Sequence, residues 1–324
     1  MPTATPPELT PAQQRTLADL GAAGAPKPVF PSGLRERLRA DLEAGLAPVL
    51  QDLGADEQIV LSKHLLSQVH GCEARYLAEL DEPFAASIPI VRGSVAHKAI
   101  ELGIHWRGEP IPLELVDEAI ARLTESDLWM ADFLQQCTEA EMAELRATSG
   151  DRVSKFFECF PRLKPAWRPV TESSQYVELL DARVVLRGKV DLTLGVATAS
   201  EEGNHAGKVV IDLKTGAPNA RHRDDLRFYA LLDALRLGVP PRLIASFYLD
   251  LGEAQTEPVT EGILDATAAR VVDGAKRMAA LQTGAVAPVY RPSFGCRWCG
   301  ALGGCETGKR WLVDETDFDD DSAA

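Results

Sequence analysis

The sequence predicts an α/β core, preceded by a helical region and followed by a cysteine-bearing segment. Three observations lead there. Residues 34–160 repeat apolar positions at helical spacing, and after Pro161 the texture changes to short β-branched runs bounded by turns. From residue 208 onward, apolar strand-like runs alternate with helical stretches. The 324 residues are 45% hydrophobic and 25% charged, with mean hydropathy −0.09, which is ample apolar material for a core. Collagen-like, coiled-coil and wholly disordered chains are excluded by that composition.

Taken in order, residues 1–33 are rich in Pro and Ala and broken by Gly21, Gly24 and Pro26, so a flexible arm is expected. The helical region spans 34–165. Its first part, 34–80, reads as two or three helices, with Leu34, Leu38 and Leu42 on one stripe and Leu61, Leu65 and Val69 on another. A helix is expected over 93–106 and a helical group over 114–160. The core is expected over 166–289. It opens with strands at 176–180 and 183–187 around a tight turn at Asp181-Ala182, followed by strands at 189–194 and 208–213. A helix from about Asp224 to Leu237, a strand at 243–251 and a helix at about 261–282 complete it. A cysteine segment fills 290–310 and an acidic tail 311–324, and no internal repeat is visible.

The formal net charge of −14 argues against nucleic-acid binding through the whole surface. Part of the excess is local, because six acids between Asp314 and Asp321 leave −8 on the remainder. Any nucleic-acid reading therefore rests on a local basic groove or on metal ions. No run approaches the roughly 18 apolar residues of a membrane helix. The first residues lack a basic stretch followed by an apolar one, so no secretory signal is read. A soluble, cytoplasmic protein with no membrane partner is the expectation.

The chemistry concentrates where strands finish. Asp191 ends Gly188-Lys189-Val190-Asp191, and Asp212 and Lys214 stand in Ile211-Asp212-Leu213-Lys214-Thr215-Gly216. Residues i and i+2 of a strand share a face, so Asp212 and Lys214 project together. Paired carboxylates hold a hard divalent cation through oxygen, and a neighbouring lysine can orient the attacking water and neutralise phosphate charge. Solvated strand-end charges are the plain alternative, since one acid-x-lysine triplet is common by chance. Further upstream, Gly93-Ser94-Val95-Ala96-His97-Lys98-Ala99-Ile100-Glu101 puts His97 and Glu101 one helical turn apart. Beyond Lys214, Arg221, Arg223 and Arg227 sit near the start of a helix, where basic side chains and free N–H groups suit phosphate.

In this order, Gly-x-x-x-His, Gly-x-x-Asp, Asp-x-Lys-Thr-Gly and Leu-x-x-Tyr resemble the RecB-type branch of the PD-(D/E)xK nuclease superfamily, over roughly residues 60–310. The resemblance implies a restriction-endonuclease-like core with a mixed central sheet flanked by helices. It also implies Asp191 and Asp212 as acids binding Mg2+ or Mn2+, Lys214 as the catalytic lysine and His97 as an additional metal-site residue. Glu101 matches an acid often found one turn after that histidine, and Tyr229 matches the tyrosine of the last motif. Asp225 stands where the family commonly has glutamine. Glu172 is a loose match for a further carboxylate.

Four cysteines form a second signal. Cys296-Arg297-Trp298-Cys299 and Cys305 give C-x2-C-x5-C, and Cys72 is a fourth candidate far upstream. Without an export signal, clustered cysteines favour metal over disulfides. Four thiolates suit tetrahedral zinc or an iron–sulfur cluster, and a three-cysteine loop completed by histidine is also open. Cys137 and Cys159 lie in apolar helical sequence and read as small core residues. The split of one cysteine before the nuclease motifs and three after resembles the iron–sulfur nucleases of the AddB type and the CRISPR-associated RecB-like exonucleases. That resemblance implies a 4Fe–4S cluster on Cys72, Cys296, Cys299 and Cys305.

The expected function is a metal-dependent DNA nuclease acting on single strands or DNA ends in repair or recombination. The alternative is a catalytically inactive nucleic-acid-binding or scaffolding protein on the same fold. A zinc-stapled enzyme unrelated to DNA would leave the whole motif order to coincidence. No Gly-x-x-x-x-Gly-Lys-Ser/Thr loop is present, so any ATP-driven unwinding would come from a separate helicase chain.

Overall fold

The computed structural model describes residues 8–21, 26–52, 54, 57–81, 86–200 and 203–321. The first half runs α1 (Pro11–Asp19), β1 (Val29–Phe30), α2 (Leu34–Leu46), β2 (Ile59–Ser62), α3 (Lys63–Val69), α4 (Glu73–Asp81), α5 (Ile88–Ile104), α6 (Pro112–Ser126), α7 (Leu128–Gln136) and α8 (Glu139–Cys159). Next come β3 (Val170–Leu179), β4 (Val184–Leu194), β5 (Thr198–Ser200), β6 (Gly203–His205) and β7 (Val209–Lys214). The chain closes with α9 (Ala220–Leu237), β8 (Leu243–Tyr248), β9 (Glu253–Pro258), α10 (Glu261–Gln282) and α11 (Glu306–Asp321). Among the described residues, no helix is long and apolar enough to cross a membrane.

The chain divides into two units, each drawn from three separate stretches of sequence. One holds Met1–Glu36, Ala85–Gln175 and Gly188–Leu264; the other holds Arg37–Phe84, Tyr176–Arg187 and Asp265–Ala324. In the first unit, β4 pairs antiparallel with β7, β7 parallel with β8, and β8 antiparallel with β9, so the sheet is mixed. Val209, Ile211 and Leu213 of β7 enter a core built with α5, α6 and α8. There Phe156 stacks on Phe160 at 4.8 Å between ring centroids, and both meet Phe247 edge-on. The alternate residues of β7, Val210, Asp212 and Lys214, turn to the other face, which α9 covers. One sheet face thus carries the core and the other the polar chemistry.

In the second unit, β2 runs parallel to the opening residues of β4, in register from Ile59↔Val184 to Ser62↔Arg187. Buried Glu73 accepts both guanidinium arms of Arg277 at 2.6 and 2.7 Å, and buried Tyr76 takes a hydrogen bond from Gln282 at 2.8 Å. These contacts join α4 to α10.

Several sequence expectations change. The expected arm contains α1, whose Thr10 and Gln13 form a reciprocal capping box behind Pro11 at the first turn; the helix packs on α8. Leu61 lies in β2 rather than on a helix, because a four-residue apolar run fits either period and pairing with β4 decides it. The runs at 183–187 and 189–194 are one strand, β4, since Gly188 continues the extended backbone. Leu180, Asp181 and Ala182 make the turn before it with φ of 51°, 54° and 64°. The helix expected from Asp224 begins earlier, at Ala220, capped by the Asn219 side chain. Within the acidic tail, residues 311–321 continue α11; 322–324 lie outside the described residues.

Candidate active site

Three elements of the first unit deliver the charged residues singled out by the motifs. The antiparallel register Leu192↔Ile211 carries Asp191 and Asp212 to the same end of the β4–β7 ladder. Asp191 is fixed there, because its Oδ2 accepts the Leu213 backbone N–H at 2.7 Å. Helix α5 brings His97, whose Nδ1 lies 3.5 Å from Asp191 Oδ1. Glu172 arrives from β3 with φ of +52°, a left-handed conformation that costs a non-glycine residue energy and kinks the strand. Ligand atoms of His97, Glu172 and Asp191 lie within 4.8 Å of one another, a spacing that can hold a metal ion.

Asp212 is 1% exposed and its Oδ2 lies 2.7 Å from the Lys214 ammonium. Lys214 also reaches Asp225 of α9 at 3.2 Å, so two carboxylates grip one lysine. Burial lowers the pKa of the His97 imidazole, but the carboxylates of Asp191, Asp212 and Glu172 outweigh it and raise the pKa above the ordinary value. Three carboxylates thus face one imidazole, an arrangement whose charge favours a cation. Lys189 makes an ion pair with Glu172.

Glycines set the close approaches. A side chain on Gly188 would meet the Tyr229 ring at 2.6 Å, so the glycine of Gly-x-x-Asp makes room for the tyrosine of the last motif. Tyr229 is buried and donates its hydroxyl to the Lys189 carbonyl at 2.5 Å, holding the backbone two residues before Asp191. A side chain on Gly93 would touch the Thr215 hydroxyl at 3.4 Å, which links the start of the His97 motif to Asp-x-Lys-Thr.

The remaining expected residues fall around this centre. Glu101 is not in the His97–Glu172–Asp191 group; it accepts from Lys98 at 2.8 Å and acts electrostatically on Lys189. Arg221 and Arg223 are exposed in the first turns of α9. Arg227 is held by Glu257 at 2.6 and 2.8 Å and by Asp224 at 3.4 Å. Sequence reasoning missed the grip of Asp225 on Lys214, for which the only signal was an acid where glutamine is common.

The second unit contains the four cysteines of the motif, although the group of ligand atoms found within 4.8 Å of one another among the described residues is His97–Glu172–Asp191 and includes none of them. Cys72 sits just before α4, and Cys296, Cys299 and Cys305 lie in short 3₁₀ turns and a loop before α11; all are free thiols. Backbone N–H groups already point at sulfur, Ser293 to Cys296 at 3.4 Å and Gly308 to Cys305 at 3.3 Å. A Cβ on Gly308 would stand 3.4 Å from Cys305 Sγ and 3.5 Å from Cys296 Sγ, ordinary contact distances that put both sulfurs beside this glycine. Burial raises the Cys299 pKa and neighbouring Cys72 and Cys296 raise it further, against the pull of the Ala301 backbone and Arg75. Cys72 is thus within electrostatic reach of the C-terminal trio. Hydrogen bonds stitch its neighbourhood to theirs: Arg291 donates to the Gly71 carbonyl at 2.9 Å and Val289 N–H to Glu73 at 2.7 Å. Cys159 is buried at the end of α8, while Cys137 is half-buried after α7.

Comparison with known proteins gives a family. No curated protein matches the chain. Among solved structures, a candidate exonuclease from Eubacterium rectale is 13% identical, with a TM-score of 0.46 over 78% of this chain and 88% of that one. The protein SSO0001 is 14% identical, with a TM-score of 0.32 over 83% and 96% of the two chains. Both scores are too low to carry weight. The family profile described as PD-(D/E)XK nuclease superfamily matches residues 61–306, which include every charged residue of the motif series and all four clustered cysteines. On that match over most of its length, the chain belongs to the PD-(D/E)XK nuclease superfamily.

Proposed function

We propose that this protein is a divalent-metal-dependent DNA nuclease that cuts single strands or strand ends, in the cytoplasm, during repair or recombination. The observation that carries the reading is the meeting of Asp191, Asp212, Lys214 and His97 from three separate elements at one end of the β4–β7 ladder. A chance acid-x-lysine triplet has no reason to acquire a histidine and a further carboxylate. Asp191, Asp212, His97 and Glu172 are the residues that would hold Mg2+ or Mn2+. The ion, when bound, lowers the pKa of its water and stabilises charge on the scissile phosphate. Asp191 is oriented for this by the Leu213 N–H. Lys214, restrained by Asp225, orients the attacking water and neutralises phosphate charge. Glu101 tunes Lys189, and Tyr229 fixes the backbone under Asp191. Arg221, Arg223 and the start of α9 offer phosphate contacts along the strand.

Cys72, Cys296, Cys299 and Cys305 would hold a 4Fe–4S cluster. What supports this is four free thiols in one unit, two of them, Cys296 and Cys305, already accepting backbone N–H donors. Closing so long a loop costs about 5 kcal/mol in chain entropy, which metal binding coupled to folding can offset. The cluster is read as structural. Unwinding of duplex would fall to a separate helicase chain.

A catalytically inactive scaffold is disfavoured, because such a chain has no need to keep Asp191, Asp212 and Lys214 together. The test is cleavage of 5′- and 3′-labelled single and double strands with Mg2+, Mn2+ or EDTA. Cleavage that needs metal and is absent in EDTA is expected. No cleavage of any strand by metal-loaded protein would overturn the reading in favour of the scaffold.

A further inference from the structure

A cavity of about 270 Å3 lies under the start of α9, at the edge of the described chemistry. Its floor is β8. The parallel register Asp212↔Ser246 and Lys214↔Tyr248 puts Ser246 and Tyr248 on the same sheet face as the two charged residues, one strand away. Strand spacing is about 4.8 Å, so the floor continues the catalytic surface without a break. Leu226, Ile244 and Tyr248, at most 2% exposed, close its floor; exposed Pro218 and Ala220 bring apolar atoms, exposed Arg223 and Gln255 also line it, and so does Glu257, held by Arg227. The Tyr248 ring is held by its hydroxyl, 3.1 Å from His222 Nδ1. Helix α9 roofs the cavity and also carries Asp225 and Tyr229 to the catalytic edge.

The pattern fits one ligand class. A flat apolar body calls for the exposed Pro218 and Ala220 above the closed floor, and a polar edge calls for the Gln255 amide. An attached phosphate calls for Arg223 and the first turn of a helix. The volume falls just below the roughly 300–1,000 Å3 of drug-sized pockets, which admits one base with its sugar and excludes a folded peptide. We propose that this cavity is a nucleoside subsite that receives the nucleotide next to the scissile phosphate. The inference rests on the nuclease reading and adds a substrate contact that the motif residues do not supply. Binding energy spent there positions the strand over Lys214.

The test uses the full chain and a variant that fills the mouth. Ala220 is exposed at the first helical position of α9 and lines the cavity, so Ala220→Trp adds bulk without disturbing the core. Calorimetric titration with 5′-dAMP, with inorganic phosphate as the control, reads the subsite directly. Wild type should bind 5′-dAMP more tightly than phosphate, and Ala220→Trp should weaken it about tenfold at an unchanged thermal midpoint. On labelled single strands the same variant should raise KM about tenfold and leave kcat in place. Arg223→Ala, at an exposed position, should also weaken 5′-dAMP and serves if the tryptophan variant fails to fold. Equal binding of phosphate and 5′-dAMP by wild type, or wild-type KM and 5′-dAMP affinity in the folded variants, overturns the subsite. Absence of cleavage by wild type would overturn the nuclease reading instead, and the nucleotide titration would still decide the cavity.

Discussion

The strand-end site and the cysteine site are built by opposite means. In the first, regular structure does the positioning: a β ladder sets Asp191 against Asp212, and one helix adds His97 while another adds Asp225. In the second, the cysteines sit in loops and 3₁₀ turns, and local N–H···S bonds hold Cys296 and Cys305. The difference teaches where each should fail. A site held by a hydrogen-bonded sheet keeps its geometry when a ligand is removed, so its loss is chemical. A metal site held by loops would lean on its metal, so its loss would be structural.

That contrast can be broken first at the strand ends. His97→Ala and Glu172→Ala should each lower the cleavage rate by about 10²–10⁴-fold, the range for loss of a positioned catalytic group, while the thermal midpoint stays within a few degrees. A large fall in midpoint with either variant would mean the site holds the fold together.

At the cysteine site the expected pattern is reversed. Cys72→Ala and Cys299→Ala should lose metal and stability together and to the same extent, because an incomplete shell fails whichever ligand is cut. Anaerobically purified wild type should be brown and carry about four irons per chain. Stoichiometric zinc without sulfide would identify a zinc site instead. Cys137→Ala and Cys159→Ala should keep full metal and cost on the order of 1 kcal/mol in packing. Metal content and thermal midpoints of the four variants decide this.

A smaller effect is expected at Gly188. A side chain there meets the Tyr229 ring at 2.6 Å, so Gly188→Ala should destabilise by about 1–3 kcal/mol and slow cleavage by shifting Asp191. The double variant Gly188→Ala/Tyr229→Leu should recover stability if the collision is the cause.

How much of this was legible in the sequence follows from the same contrast. The meeting of His97, Asp191, Asp212 and Lys214 was foreshadowed by motif order, and the shared face of Asp212 and Lys214 by the strand period, which places i and i+2 on one face. The joining of 183–187 and 189–194 into β4, and the placing of Leu61 in β2, were not readable. A glycine reads as a break until a partner strand pairs across it, and a short apolar run has no period of its own. Glu172 was only a loose match, since its arrival depends on a left-handed residue inside a strand. The grip of Asp225 on Lys214 is a tertiary contact between a strand and a helix, and composition carries no trace of it. Cys72 could be paired with the C-terminal trio only through family likeness; the stitching by Arg291 and Glu73 is visible in three dimensions alone.

The smallest expected effect concerns pH in the second unit. The Arg277 guanidinium, with the Val289 N–H and Arg291, holds the buried Glu73 carboxyl below its ordinary pKa against the opposing effect of burial. A lowered folded pKa means this contribution is fully present above the ordinary carboxylate value and is lost as pH falls through the folded one. The wild-type midpoint should therefore fall more steeply on acidification than that of Glu73→Gln. Parallel curves for the two proteins would remove Glu73 from the stability of this unit.

The proposed metal-dependent cleavage site lies at the end of the β4–β7 ladder. It is tested most directly by single-turnover cleavage of labelled single-stranded DNA by wild type, Asp212→Ala and Lys214→Ala in Mg2+ or Mn2+, with circular dichroism and thermal midpoints taken on the same preparations. The account predicts metal-dependent cleavage by wild type and its loss in both variants, with spectra and midpoints close to wild type. Wild-type rates in a folded Asp212→Ala protein would contradict it.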